Sequence, residues 1–228
     1  MKTVLNGFII AVRSAFEVGK QVGGALAVEL DQFIKLIDQT ALYDTGYNTA
    51  VSTAPALRYL DPALELAEAN IAAPIARAFR PVAKLINWSL FYKENSLTKP
   101  FLRSIANTEV IGTAGPFMSK ELIVGVSLIG PNTLYPVHGH QAVEIYHILA
   151  GTPHFRVGDA AWHPLPPGSF SLHPVNISHA IQTNDKPALM VYAWRGDLHA
   201  PTWFLVDSES GRREKRFASR LDSSHLRR

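Results

Sequence analysis

Apolar positions recur along this chain with two different periods, and the change falls just after residue 105. Before it, the spacing is helical. Ala25 to Gln39 sets Leu26, Leu30, Phe33, Ile34 and Ile37 on one face. Met1 to Val12 gathers Phe8, Ile9 and Ile10, with Arg13 and Glu17 close behind. This reads as an amphipathic helix and not as a signal peptide. Asp61-Pro62 has the form of a helix start, an N-cap acceptor followed by proline at the first position. Leu64, Ala67, Ile71 and Ile75 then share one face. Pro81 ends or kinks that helix, and another segment runs through Val82, Leu85, Ile86 and Phe91. Tyr43 to Thr53, rich in Thr, Gly and Asn, reads as a loop.

After the change, short apolar runs alternate with Gly and Pro turns: Glu121 to Leu128, Glu144 to Leu149, His154 to Val157, Ser169 to His173, Ala180 to Gln182 and Ala188 to Ala193. Strands of this length and spacing predict an all-β barrel or double-sheet jelly roll. Gly158-Asp159 is a hairpin signal. The expected fold class is therefore α+β. A helical extension covers residues 1–105, a β-barrel residues 106–208 and a basic tail residues 209–228.

Composition narrows the function. The chain has 228 residues, 47% hydrophobic and 18% charged, which describes a globular protein with a sizeable core. It has no cysteine, so disulfides, thiolate ligands and a cysteine nucleophile are excluded. That absence is compatible with a cytoplasmic location. The net charge is +3, and Arg212, Arg213, Lys215, Arg216, Arg220, Arg227 and Arg228 crowd the end. No aromatic interleaving or reading motif accompanies them, so a solvated terminus is expected and no nucleic-acid partner. No apolar run reaches the roughly 18 residues that span a bilayer, so no membrane association is expected either.

The chemistry concentrates in His138-Gly139-His140-Gln141-Ala142-Val143-Glu144. Side chains of a strand alternate faces, so His138, His140 and Glu144 share one parity and converge if the strand is regular. Imidazoles and a carboxylate hold a divalent transition metal while leaving positions open. His179, just after the Pro174 turn, offers a fourth ligand. A lone buried histidine is usually a hydrogen-bonded core residue; three ligand types at this spacing point to a metal. His147, His154, His163, His173 and His199 lack such a pattern and read as structural or solvent-facing.

These residues resemble the two motifs of the cupin superfamily. Gly130, His138, His140, Glu144 and Gly151 match the first, with two extra residues before His138. Pro174, His179 and Asn184 match the second, with Asn176 in place of the usual glycine and Asn184 one residue late. Asn also accepts positive φ, so the replacement is tolerable. The run continues to Tyr146, and with the helical extension and the late Trp194 the chain is similar to the bacterial cupin lyases that cleave dimethylsulfoniopropionate into dimethyl sulfide and acrylate. That resemblance implies one metal on His138, His140, Glu144 and His179, Tyr146 as the catalytic base, and Trp194, Tyr135 and Tyr192 around the substrate. Trp194 in an apolar strand reads equally well as core. The metal is open among Zn, Fe, Mn and Ni. Two other readings stay open: an iron-dependent cupin dioxygenase acting on a small organic acid, and a non-catalytic small-acid-binding cupin. The helical extension offers a surface for a homodimer.

Overall fold

The computed structural model describes residues 1–40, 52–207 and 212–218. The loop read at Tyr43 to Thr53 lies outside them up to residue 51, as do residues 208–211 and 219–228. The helices are α1 (Lys2–Gly19), α2 (Gly24–Gln39), α3 (Leu60–Glu68), α4 (Ala73–Ala83) and the short α5 (Lys99–Leu102). The strands are β1 (Ile105–Gly112), β2 (Phe117–Met118), β3 (Leu122–Ile129), β4 (Leu134–Gly139), β5 (Ala142–Ala150), β6 (His154–Val157), β7 (His163–Pro164), β8 (Phe170–His173), β9 (His179–Gln182), β10 (Ala188–Gly196), β11 (Thr202–Asp207) and β12 (Arg213–Ala218). They form two six-stranded sheets, ordered β2-β1-β3-β10-β5-β8 and β12-β11-β4-β9-β6-β7. The α+β class, with a two-sheet β-domain after a helical extension, is the one observed.

Strand parity divides the molecule into two cores. Along β10, Leu189, Val191 and Ala193 face one core while Met190, Tyr192 and Trp194 face the other. β5 alternates likewise: Val143, Ile145 and Leu149 pack with the helices, and Tyr146 and Ile148 point inside the barrel. Both faces of these strands are buried, which is why they read as nearly continuous apolar runs. The helices lie on the outer face of this sheet. Phe8, Phe16, Phe33 and Phe79 there are fully buried. Each contributes about 1.5–3 kcal/mol, against at most about 1 kcal/mol for an exposed ion pair. Apolar burial and not pairs such as Arg13–Asp38 at 2.7 Å therefore holds the layer on.

Glycine matters where side chains cross the sheet. The Tyr192 ring lies over Gly125 of β3, and a Cβ there would meet the Thr108 carbonyl oxygen and sit 2.7 Å from the ring. Only glycine lets the tyrosine reach past β3 and donate its hydroxyl to the Thr108 carbonyl at 3.2 Å.

The helical reading needs three corrections. The face drawn through Leu64, Ala67, Ile71 and Ile75 spans a break: α3 ends at Glu68, and Ile71 is 79% exposed. Asn70 makes the break, its amide donating to the Leu66 and Leu149 carbonyls while its Oδ1 accepts from the Ala72 N–H. Pro74 then opens α4. Asp61 does not cap α3, which begins at Leu60 with no side-chain cap. Beyond Pro81 the chain leaves the helix at Ala83, and Leu85 to Tyr92 form an irregular strap that bridges Asn107 through Ser89.

At the other end, part of the basic segment pairs. Arg213–Ala218 form β12 against β11, with the Lys215 ammonium 4.0 Å over the Trp203 ring. Backbone pairing and this cation–π contact order a stretch whose charge reads as tail. Among the described residues, no helix is long and apolar enough to cross a membrane.

Candidate metal centre

The first motif does not lie on one strand. β4 ends at Gly139 in one sheet and β5 begins at Ala142 in the other, so His140 stands in the corner between them. The expectation of three ligands on one side of a sheet is corrected accordingly: His138 and Glu144 lie in different sheets, with His140 in the corner between them. Gly139 permits the corner, since a Cβ there would collide with the Trp203 indole. The His140 ring is fixed by a 3.0 Å hydrogen bond between Nδ1 and the Ala142 carbonyl. His179 opens β9 after a turn in which Asn176 has φ +61° and its N–H reaches the His140 carbonyl at 2.8 Å. The asparagine thus takes the left-handed conformation expected of it and ties the second motif to the first.

His140, Glu144 and His179 converge, one ligand atom from each lying within 4.8 Å of the others. Glu144 Oε2 is 3.2 Å from Nε2 of both histidines. The His179 Nε2 is buried and, though 3.2 Å from Glu144 Oε2, is out of hydrogen-bonding geometry and so lacks a partner. A buried, unpartnered imidazole nitrogen facing a carboxylate is what a divalent metal site leaves when stripped, so the donor set fits such an ion. His138 stands beside this trio. Its ring is 4.1 Å from that of His179 and 6.4 Å from that of His140, its Nδ1 bonds the Pro136 carbonyl at 2.8 Å, and it stacks on Tyr135 at 4.1 Å. The register shift between Tyr135 and His138 sets this placement.

Electrostatics favour metal-binding forms of these residues. Burial alone would raise the Glu144 carboxyl, but the contacts with His140 and His173 and the nearness of His179 overcome it and hold it well below the usual carboxylate range. Burial, with His173 adding to it, pushes His179 down to about 3. Burial and His179 likewise hold His138 well below its ordinary value. A carboxylate and neutral imidazoles are the forms that bind metal.

The aromatic candidates fall in different places. Trp194 lies opposite Glu144 in register, donates Nε1–H to its Oε1 at 2.5 Å, and has its ring 4.0 Å from that of His140. Tyr146 faces the barrel interior two residues past Glu144, its ring 5.5 Å from His173. Burial, then the charge of Glu144, raises its phenol well above the ordinary value. Tyr135 shares a 2.7 Å hydroxyl contact with Tyr92, and burial, then Tyr92, raises it too. Tyr192 shares the interior face with Trp194, since no bulge separates them, but its hydroxyl is spent on Thr108 in the opposite direction from β5.

Sequence reasoning missed His173, Tyr92 and Phe91. His173 is fully buried, its Nδ1 3.2 Å from Glu144 Oε2. The signal is strand pairing of β8 with β5, which no local motif reveals. Phe91 holds φ +62° in the strap and sets its ring 5.7 Å from Tyr192 and 6.5 Å from Trp194.

His147 lies on the outer face of β5, stacked on Phe170 at 4.2 Å, and burial pushes it down to about 4. The unfolded imidazole titrates near 6.5, so between about 6.5 and about 4 the unfolded chain binds the extra proton and stability falls as pH falls. At about 1.4 kcal/mol per unit, the loss approaches about 3 kcal/mol. Urea unfolding at pH 7 and pH 4.5 should show a pH-dependent loss smaller by about 2–3 kcal/mol in His147→Leu than in the wild type. An equal loss in both would contradict this.

Comparison with known proteins matches this chain to one family. The dimethylsulfoniopropionate lyase family profile matches residues 29–190. The chain is 34% identical over 166 residues to the putative dimethylsulfoniopropionate lyase DddL of Cereibacter sphaeroides, covering 71% of this chain and 69% of that protein. It is 36% identical over 138 residues to the dimethylsulfoniopropionate lyase DddQ of Ruegeria pomeroyi, covering 60% of this chain and 69% of that one. The crystal structure of that DddQ superposes with a TM-score of 0.65 at 31% identity, over 83% of this chain and 95% of the other. The chain therefore belongs to the dimethylsulfoniopropionate lyase family and is a carbon–sulfur lyase.

Proposed function

We propose that this chain cleaves dimethylsulfoniopropionate into dimethyl sulfide and acrylate at a centre built from His140, Glu144 and His179, with His138 beside them as fourth donor. The observation that carries the reading is Glu144 Oε2 at 3.2 Å from both His140 and His179, with Tyr146 on the same strand face. When bound, a divalent cation supplies Lewis acidity toward the substrate carboxylate and positive charge that favours the Tyr146 phenolate. Tyr146 removes the proton from the carbon next to the carboxylate. The electron pair left there forms the new carbon–carbon double bond, the β-carbon–sulfur bond breaks, and its pair leaves on dimethyl sulfide. The products are acrylate, dimethyl sulfide and a proton on Tyr146, which returns to solvent.

Trp194 holds Glu144, and its ring joins those of Tyr135 and Tyr192 as the wall that meets the sulfonium. An aromatic face attracts such a cation by roughly 0.5–2 kcal/mol. Zinc, iron, manganese and nickel all suit the donor set. The proposed location is the cytoplasm, with which the lack of cysteine is compatible. A homodimer through the helical layer belongs to the same reading, supported by the exposed Ile10, Val18, Val22 and Val28. The test is turnover under argon. The lyase reading expects equimolar dimethyl sulfide and acrylate without oxygen; a strict oxygen requirement would overturn it in favour of a dioxygenase.

A further inference from the structure

We propose that Ser171 and His173 form a positioning pair that fixes the Glu144 carboxylate, and with it the His179 ring, for metal binding. Both lie on β8, which pairs antiparallel with β5 so that His173 stands opposite Glu144 and Ser171 opposite Tyr146. His173 is 0% exposed and both its ring nitrogens are engaged: Nδ1 lies 3.2 Å from Glu144 Oε2 and Nε2 lies 2.9 Å from Ser171 Oγ. An ionised carboxylate only accepts, so Nδ1 carries the ring proton and donates to it. Nε2 is then the acceptor, and the Ser171 hydroxyl donates to it. Ser171 thus selects the tautomer that Glu144 requires.

The carboxylate is gripped at both oxygens. Trp194 Nε1–H donates to Oε1 at 2.5 Å while His173 takes one side of Oε2. What remains of Oε2 faces His140 and His179. The His173 ring also stacks on that of His179, centroids 4.0 Å apart and planes 28° off parallel. One buried residue therefore orients two of the three converging ligands. Partners that orient ligands in this way typically matter by about 10–100-fold in metal affinity.

The inference rests on the metal reading, and the experiment separates the two. Metal-free protein is titrated with Zn²⁺ against a chromophoric chelator. The wild type should bind one Zn²⁺ per chain. His173→Leu, which fills the space without a donor, should bind about 10–100-fold more weakly. His173→Asn, whose amide N–H can stand where Nδ1–H stood, should recover most of that loss. Ser171→Ala should weaken binding in the same direction by less. Zn²⁺ affinity unchanged in His173→Leu, or as weak in His173→Asn as in His173→Leu, would overturn the positioning role while leaving the metal centre standing. No Zn²⁺ on the wild type would overturn both. If His173→Leu shows no cooperative thermal transition, Ser171→Ala decides: weakened binding upholds the pair, and wild-type affinity refutes it.

Discussion

Tyr146→Phe is expected to lose about 10²–10⁴-fold in turnover while keeping its metal and its substrate affinity. The substitution removes one oxygen and leaves the ring, which packs 5.6 Å from Phe155 and 5.5 Å from His173 inside the barrel. Packing is therefore conserved and the effect reads as chemistry. Burial and Glu144 hold the phenol protonated well above its ordinary pKa in the metal-free chain. Activity limited by its deprotonation should rise with pH in the wild type, and that dependence should vanish from the residual activity of the variant. The check is the rate of dimethyl sulfide release beside elemental analysis of the same sample. A near wild-type rate would move the base elsewhere, first to Tyr135, whose hydroxyl already shares a 2.7 Å contact with Tyr92.

His140→Ala and His179→Ala are each expected to strip most of the metal and reduce turnover to background. Each removes one nitrogen that faces Glu144 Oε2 at 3.2 Å. Losing His140 also leaves the buried Glu144 carboxylate with one fewer hydrogen-bond partner, a cost of about 1–3 kcal/mol to folding. Metal-free His140→Ala should therefore melt below the metal-free wild type. Elemental analysis and thermal unfolding check this, and stoichiometric metal in both variants would contradict the assignment.

Much of this was legible in the chain because two periods of apolar spacing carry it. Leu30, Phe33, Ile34 and Ile37 are buried on α2 as their spacing predicts. Glu144 and Tyr146 share an interior face because β5 is regular between them. Asn176 takes the positive φ that its place in the motif demands. Failures occurred where non-local contacts decide. Asn70 breaks a helix by reaching the Leu149 carbonyl, a partner 79 residues away. The corner at Gly139 sends His138 and Glu144 into different sheets, so strand parity across it does not hold. His173 looked like any strand histidine until β8 paired with β5. Arg213–Ala218 reads as a solvated charge run, yet backbone pairing with β11 needs no apolar side chains.

The most direct measurement is headspace dimethyl sulfide from purified protein given dimethylsulfoniopropionate, taken before and after removal of its metal and again after metal is restored. The account predicts release by the loaded protein, loss on stripping and recovery on reloading, with one acrylate formed per dimethyl sulfide. A fully loaded, folded protein that releases none would contradict it.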